Sequence, residues 1–345
     1  MAMKANGLCT IFDVAKMAGV SKSTVSRVLN QPEGVKPEVK EAVVKAIKKL
    51  DYTPSYFAQG IRTGRTKTIA MLVPDFSNVF YSELFKGVES VALKSGYMVI
   101  ICNTDRRIEE EYRYINKLIG RKIDGIIYNT YNISRENINT LTELAGQTPI
   151  VFMDNVFKKG DDLSYVVTEG RDSTGEAVTY LYRQGRRRIA YIKMVPKISV
   201  IENRFRGYLK GLKNCGLPVE EELIYQPDPA ILGDIDHMQI GATAGAYFAS
   251  LPNPPDAIMA GFDVLSIGCM RELKKLGVKI PDDMALIGFD NISLCELVEP
   301  ALSTIAQPIA KLGAAAAQII IDKLQGKSTQ DKVIFPGELL LRQST

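Results

Sequence analysis

The sequence predicts a small all-α head followed by an α/β core of two parallel-sheet subdomains. Three observations predict it. Residues 10 to 50 carry three short patterns of helical period. From Thr68 onward, apolar strand-like runs alternate with amphipathic stretches of helical length. The chain of 345 residues, 46% hydrophobic and 24% charged, is long enough for two or three domains with full cores. Such alternation implies parallel sheets covered on both faces, and the 278 residues that carry it normally split into two such layers.

In the head, Thr10 is placed to cap a first helix with Asp13 three residues on, and Ile11, Val14, Ala15 and Ala18 form one apolar stripe. Gly19 turns the chain. Ser21 caps a second helix over Lys22 to Leu29, with Val25, Val28 and Leu29 inward and Lys22, Ser23, Ser26 and Arg27 outward. Pro37 opens a third, in which Val39, Ala42, Val43, Ala46, Ile47 and Leu50 recur at helical spacing.

In the core, buried strands are expected at Ile69 to Val73, Met98 to Cys102, Gly125 to Tyr128, Ile150 to Met153, Ile189 to Ile192, Ala257 to Ala260 and Ala285 to Phe289. Helices are expected at Phe80 to Lys94, Thr174 to Gln184, Arg204 to Cys215 and Leu265 to Leu276. Ligands in such sheets bind at the carboxyl ends of the strands.

Several classes are excluded. No apolar run approaches the roughly 18 residues that span a bilayer, so no membrane partner is expected. The N-terminus lacks the apolar segment of a secretory signal, and five scattered cysteines indicate neither a disulfide framework nor a zinc site, which together fit a reducing cytoplasm. The single histidine, His237, rules out most nucleophile–histidine triads and any multi-histidine metal site. It is expected as a solvated side chain in a loop over Gly233 to Gln239. With no Gly-x-Gly-x-x-Gly opening a helix after the first strand, no phosphate-binding Walker loop and no nucleophile elbow, no enzyme, cofactor or metal is expected.

Charge is unevenly placed. Residues 1 to 67 carry 12 Lys or Arg against 5 Asp or Glu, and the remainder carries 31 against 34. A cationic head on a mildly acidic body suits a polyanion, because Lys and Arg release counterions from phosphates; the alternative is a solvated basic terminus. The helix, Ala18-Gly19-Val20 turn and polar second helix of Thr10 to Asn30 form a helix-turn-helix, whose second helix fits a major groove about 12 Å wide. Lys22, Ser23 and Arg27 are the expected base readers, with Arg27 offering two parallel donors to guanine. Thr10, Ser21, Thr24 and Asn30 complete the expected DNA contacts, with Ser21, Thr24 and Asn30 placed for phosphates.

This stretch resembles the N-terminal domain of the lactose-repressor (LacI/GalR) family of bacterial transcription regulators. The resemblance runs on through Val35 to Tyr52-Thr53-Pro54, and through the body to Pro300-Ala301-Leu302-Ser303-Thr304-Ile305 and Leu341-Arg342-Gln343-Ser344-Thr345. It implies an N-terminal helix-turn-helix domain over 1–53, a hinge helix and linker over 54–67, and a periplasmic-binding-protein-like core over 68–345. The core is expected to divide near Thr168, Leu302 and Asp331: a DNA-proximal subdomain of 68–167 and 302–330, and a distal one of 168–301 and 331–345.

The resemblance further implies that Ile61, flanked by Ala58 and Gln59, wedges into the minor groove; the family usually has Leu there, and Ile is stiffer. Independently of the family, the eight residues Ser55 to Arg62 are fewer than the ~12 to 15 an isolated helix needs, and Gly60 costs about 1 kcal/mol relative to Ala. The segment should order only with its twin on DNA, unless it is a plain linker.

By the same resemblance the effector contacts are Phe80, Tyr81, Asp154, Asn155, Arg204, Phe262, Asp263 and Asp290. Aromatic faces cover a ring, carboxylates accept from neighbouring hydroxyls, and an arginine forks onto paired oxygens. The alternatives are ordinary packing for Phe80, Tyr81 and Phe262, and a structural ion pair for Arg204 and Asp290. Phe262 stands where sugar-binding relatives often have a polar residue, and Arg186 where the family commonly has histidine, a change expected to affect only a surface turn.

The expected function is a ligand-responsive regulator, a repressor, that binds a near-palindromic DNA operator as a homodimer and is gated by a small polar effector such as a sugar. The chain carries no heptad tail after Thr345, which favours a dimer over a tetramer. The alternative is a solute-binding protein of the same core, which would need export and no basic head.

Overall fold

The computed structural model describes residues 9–30, 32–52, 65–130, 141–157, 163–194, 199–228, 236–328 and 330–345, with Asn30 described in its backbone alone. The chain folds as two compact units, 1–66 and 67–345.

In the first unit, α1 (Ile11–Ala18), α2 (Lys22–Asn30) and α3 (Pro37–Leu50) close over Val14, Ala15, Val25, Val28, Val43 and Ala46. The start of α1 is fixed by the Asp13 carboxylate, which accepts from the Thr10 N–H at 2.9 Å and its hydroxyl at 2.7 Å. Gly19 then takes φ 67°, where a side chain other than Gly or Asn is strained, and turns the chain into α2. Ser21 caps α2, its Oγ accepting from the Thr24 N–H at 3.1 Å.

The second unit has two lobes, each a six-stranded sheet flanked by helices. In chain order its elements begin β1 (Thr68–Val73), α4 (Val79–Lys94), β2 (Met98–Asn103), α5 (Ile108–Gly120), β3 (Gly125–Asn129), β4 (Ile150–Met153) and β5 (Ser164–Thr168). Then follow α6 (Arg171–Arg183), β6 (Ile189–Ile192), α7 (Ser199–Asn214), β7 (Ile224–Tyr225), α8 (His237–Ala249), β8 (Ala257–Ala260), α9 (Asp263–Lys275) and β9 (Ala285–Asp290). The last are β10 (Ser303–Ala306), α10 (Ile309–Leu324), β11 (Lys332–Phe335) and β12 (Glu338–Leu340).

The first sheet runs β11-β5-β4-β3-β1-β2 and the second β12-β10-β9-β8-β6-β7. All pairings are parallel except β10 with β12. The parallel sheets explain the continuous burial of β1, β3, β4, β6, β8 and β9, whose apolar runs face helices on both sides. Helix α10 returns to the first lobe against α4, where Gly87 and Gly313 let the backbones meet: a Cβ on Gly87 would lie 2.0 Å from the Ala310 oxygen, and one on Gly313 2.2 Å from the Leu84 oxygen.

Two of the expected passages between the lobes move. β10 pairs with β9 in the second sheet and β11 with β5 in the first, so the chain changes lobe after Ala306 and after Phe335, not at Leu302 and Asp331. β10 is only Ser-Thr-Ile-Ala, and its hydroxyls are buried because they find partners: Thr304 donates to Asp263 at 2.6 Å, and Ser303 meets Thr345 at 2.8 Å. Arg186, in the turn after α6, donates from its guanidinium to the Pro281 and Asp282 carbonyls at 2.7 and 3.2 Å.

Candidate effector cleft and DNA-binding face

The cleft is built where strands from both sheets end. The turn after β1 supplies Asn78 and the start of α4 Phe80 and Tyr81; Asp154 follows β4; β8 runs into Phe262; β9 ends at Asp290; β10 leads to Gln307. Helix α7 adds Val200 and Arg204, and α8 adds His237. Asn78 caps α4 by accepting from the Phe80 N–H at 3.0 Å, and this directs Phe80 and Tyr81 inward, their rings edge to face at 5.2 Å. Asp154 takes the left-handed φ of 61° that aspartate tolerates, and Asp290 a φ of 129°, which side chains other than glycine rarely adopt.

Arg204 is the centre of the wall. It is 2% exposed, donates from Nη1 to the Gly261 carbonyl at 2.7 Å, and lies 3.6 Å from the Asp290 carboxylate. Its guanidinium carbon stands 3.6 Å from the Phe289 ring centroid and 5.2 Å from that of Phe262. Burial holds the Asp290 carboxyl well above the usual carboxylate range, with Arg204 offsetting part of the effect. Burial also raises Asp154, against the pull of Arg204 and of the Asn129 amide, which donates to it at 2.8 Å. Arg204 Nε and Gln307 Oε1 have no protein hydrogen-bond partner, so one donor and one acceptor remain unsatisfied among these residues.

Of the expected effector residues, Phe80, Tyr81, Asp154, Arg204, Phe262 and Asp290 come together here. Asn155 and Asp263 do not. Asn155 is buried with its amide turned to the Met153 and Thr130 carbonyls, at 3.3 and 3.4 Å. Asp263 is fully buried and secures the chain after β9, accepting from the Ile292 N–H at 3.0 Å and from Thr304. Its place beside Phe262 at the start of α9 points it into the lobe.

His237 also departs from expectation. It is 5% exposed, not solvated, and its ring lies nearly parallel to Phe262 at 5.8 Å. The signal was Asp236, which caps α8 by accepting from the Met238 N–H at 3.3 Å, ahead of an apolar helix. Asn78, Val200 and Gln307 were also not anticipated.

On the head, Lys22, Ser23 and Arg27 are exposed along α2, the face expected to read bases. Lys22 Nζ rests 4.7 Å from the centroid of the exposed Phe12 ring. Ser21 and Thr10 are exposed, but their hydroxyls are engaged in the caps of α2 and α1; Thr24 is half-buried, its hydroxyl 2.9 Å from Ser21. The Asn30 side chain and Ala58, Gln59 and Ile61 lie outside the described residues. Among the described residues no helix is long and apolar enough to cross a membrane.

Comparison with known proteins agrees with this architecture. Residues 10–55 match the bacterial regulatory proteins of the lacI family, and residues 178–345 match a periplasmic binding protein-like domain. The HTH-type transcriptional repressor CytR of Escherichia coli (strain K12) is 32% identical over 100% of this chain and 98% of its own length. A transcriptional regulator CelR–cellobiose complex, 26% identical, superposes with a TM-score of 0.71 over 98% of this chain and 100% of that one. The Lac repressor dimer bound to operator and the anti-inducer ONPF, 22% identical, shares the fold with a TM-score of 0.86 over 98% of this chain and 99% of that one. With a helix-turn-helix head, two parallel-sheet lobes around a polar cleft and full-length similarity to such regulators, the chain belongs to the LacI family of bacterial, DNA-binding transcription regulators.

Proposed function

We propose that this protein is a cytoplasmic, non-enzymatic repressor that binds a near-palindromic operator as a homodimer and is released or recruited by a small polar effector. The observation that carries the reading is the cleft at the strand ends of both sheets, where Arg204, Asp154 and Asp290 stand among the aromatic rings of Phe80, Tyr81 and Phe262. Such a set orients a hydroxylated ring, with aromatic faces against its apolar side and carboxylates accepting from its hydroxyls. A sugar fits this chemistry, and the CelR relative carries cellobiose.

Two chains place two α2 helices about one DNA turn or more apart, and residues 54–67 link them to the lobes as the hinge and its linker. Closing the cleft around the effector moves one lobe relative to the other and changes the hinge spacing. The response is bounded by the effector's differential affinity for the two states. The first sheet with α10 forms the DNA-proximal subdomain, and the second the distal one.

The test is selection of duplexes from a randomised pool, followed by anisotropy titration with and without cellobiose and a panel of sugars. Enrichment of a two-fold symmetric site whose affinity changes with one ligand is expected. Failure to enrich any duplex overturns the reading.

A further inference from the structure

The one histidine of the chain sits in the cleft wall, where the two lobes meet. His237 begins α8 of the second lobe and is covered on one face by Phe262. The charged groups that act on it from the first lobe are Arg106, from the turn after β2, and Asp75, from the turn after β1; these two form an ion pair with each other. Asp236 acts on it from its own helix cap, and Arg204, Asp154 and Asp290 line the same cleft. Two hydrogen bonds join the lobes. The Val156 N–H donates to Ser199 Oγ at 2.7 Å, and the Ser293 N–H donates to Glu83 at 3.2 Å. In this closed arrangement the imidazole is almost sealed from water.

We infer that His237 makes closure of the cleft sensitive to protons: the lobes shut on a neutral imidazole, and its protonation favours the open state. Closing strips water from the ring and brings it under the field of the Arg106 guanidinium, and both oppose a cation. Burial first, and Arg106 second, push His237 down to about 4 from its ordinary 6.5, with Asp75 and Asp236 offsetting part of the shift. An opened cleft returns the ring to water and toward its ordinary value.

The sign follows from proton counts. Between these two values the open state binds more protons than the closed one, so closure is unhindered above pH 6.5 and is lost progressively toward pH 4. At pH 5 the closed-to-open ratio falls on the order of 30-fold relative to pH 7.5. The inference rests on the effector reading only in taking closure as the motion to which the operator responds; closure itself is measurable without ligand or DNA.

Because there is one histidine, its ring signals in an NMR titration of the full-length, ligand-free protein need no assignment and no variant. In the closed arrangement the expected midpoint lies well below 6.5; a midpoint at 6 or above in protein whose scattering at pH 7.5 matches the closed arrangement overturns the inference. Small-angle X-ray scattering at pH 7.5 and pH 5 supplies the second readout. The radius of gyration should rise on acidification in the wild type and stay level in His237→Phe, which keeps an aromatic stack but cannot titrate. An equal rise in both proteins also overturns the inference. Either result leaves the DNA-binding reading to stand or fall on its own test.

Discussion

Gln307 holds Asp290 at the point where the chain leaves the second lobe. Its amide Nε2 donates to Asp290 Oδ1 at 2.6 Å, and its backbone N–H donates to the Asp290 carbonyl at 3.1 Å. One residue thereby ties the end of β9 to the passage that leads into α10 of the first lobe. The same carboxylate faces Arg204, so the cleft and the passage between lobes share a single buried acid.

Gln307→Ala should therefore destabilise the core. The backbone bond survives, but the buried carboxyl loses a close donor, which costs about 1–3 kcal/mol. Urea denaturation is the check. A midpoint equal to that of the wild type would mean that Asp290 draws its support elsewhere.

Arg204 and Asp290 should behave as a coupled pair. Arg204→Met leaves the buried Asp290 without its cation and Asp154 without a nearby one, and breaking a buried pair in this way costs about 3–5 kcal/mol. Asp290→Asn keeps an acceptor for Gln307 and removes the stranded acid, so Arg204→Met should cost less in that background. A double-mutant cycle should give a coupling of about 0.5–3 kcal/mol. Strict additivity would contradict the pairing.

Glu111 gives a pH prediction away from the cleft. Its carboxyl is buried, accepts from Tyr128 Oη at 2.6 Å and from Thr130 Oγ1 at 2.7 Å, and is raised above the usual range by burial in spite of these donors. A raised carboxyl holds its proton more tightly in the folded chain than in the unfolded one. Its contribution is full below the unfolded value and is lost as pH rises through the folded one. Glu111→Gln removes that slope. The stability of the variant relative to wild type, followed by thermal denaturation, should thus improve as pH rises from the ordinary carboxylate value and level off above the folded one; a flat difference across this range would contradict the shift.

The elements that were legible in the sequence are those with a strong local pattern. The β1, β3, β4, β6, β8 and β9 runs announce themselves as continuous apolar stretches; Arg204 and Asp290 come through the family resemblance, and only Asp290 ends one of these runs. β10 and β11 do not. Ser303 and Thr304 are buried through side-chain partners far away in sequence, and β11 is an edge strand with half-exposed residues, so neither carries the apolar run that a core strand shows. Both errors in the lobe boundaries come from these two strands. Gln307 was not legible because its place is fixed by Asp290, 17 residues earlier in the chain, and the burial of His237 comes from Phe262 and groups remote in sequence, although Asp236 marks the helix start before it.

The head separates support from contact, and two substitutions should show it. Arg27 is exposed on α2, and Arg27→Ala should weaken operator binding by about 1–3 kcal/mol and relax selectivity at one base pair, with the helical circular dichroism of the head unchanged. Ser21 instead has its hydroxyl committed to the Thr24 N–H at the start of α2. Ser21→Ala should lower the stability of the head by about 0.5–2 kcal/mol and weaken all duplexes alike, since the reading side chains remain but the helix that presents them frays. Binding measured across a set of single-base operator variants distinguishes the two. If Arg27→Ala changes every duplex by the same factor, Arg27 contacts the phosphate backbone and not a base edge.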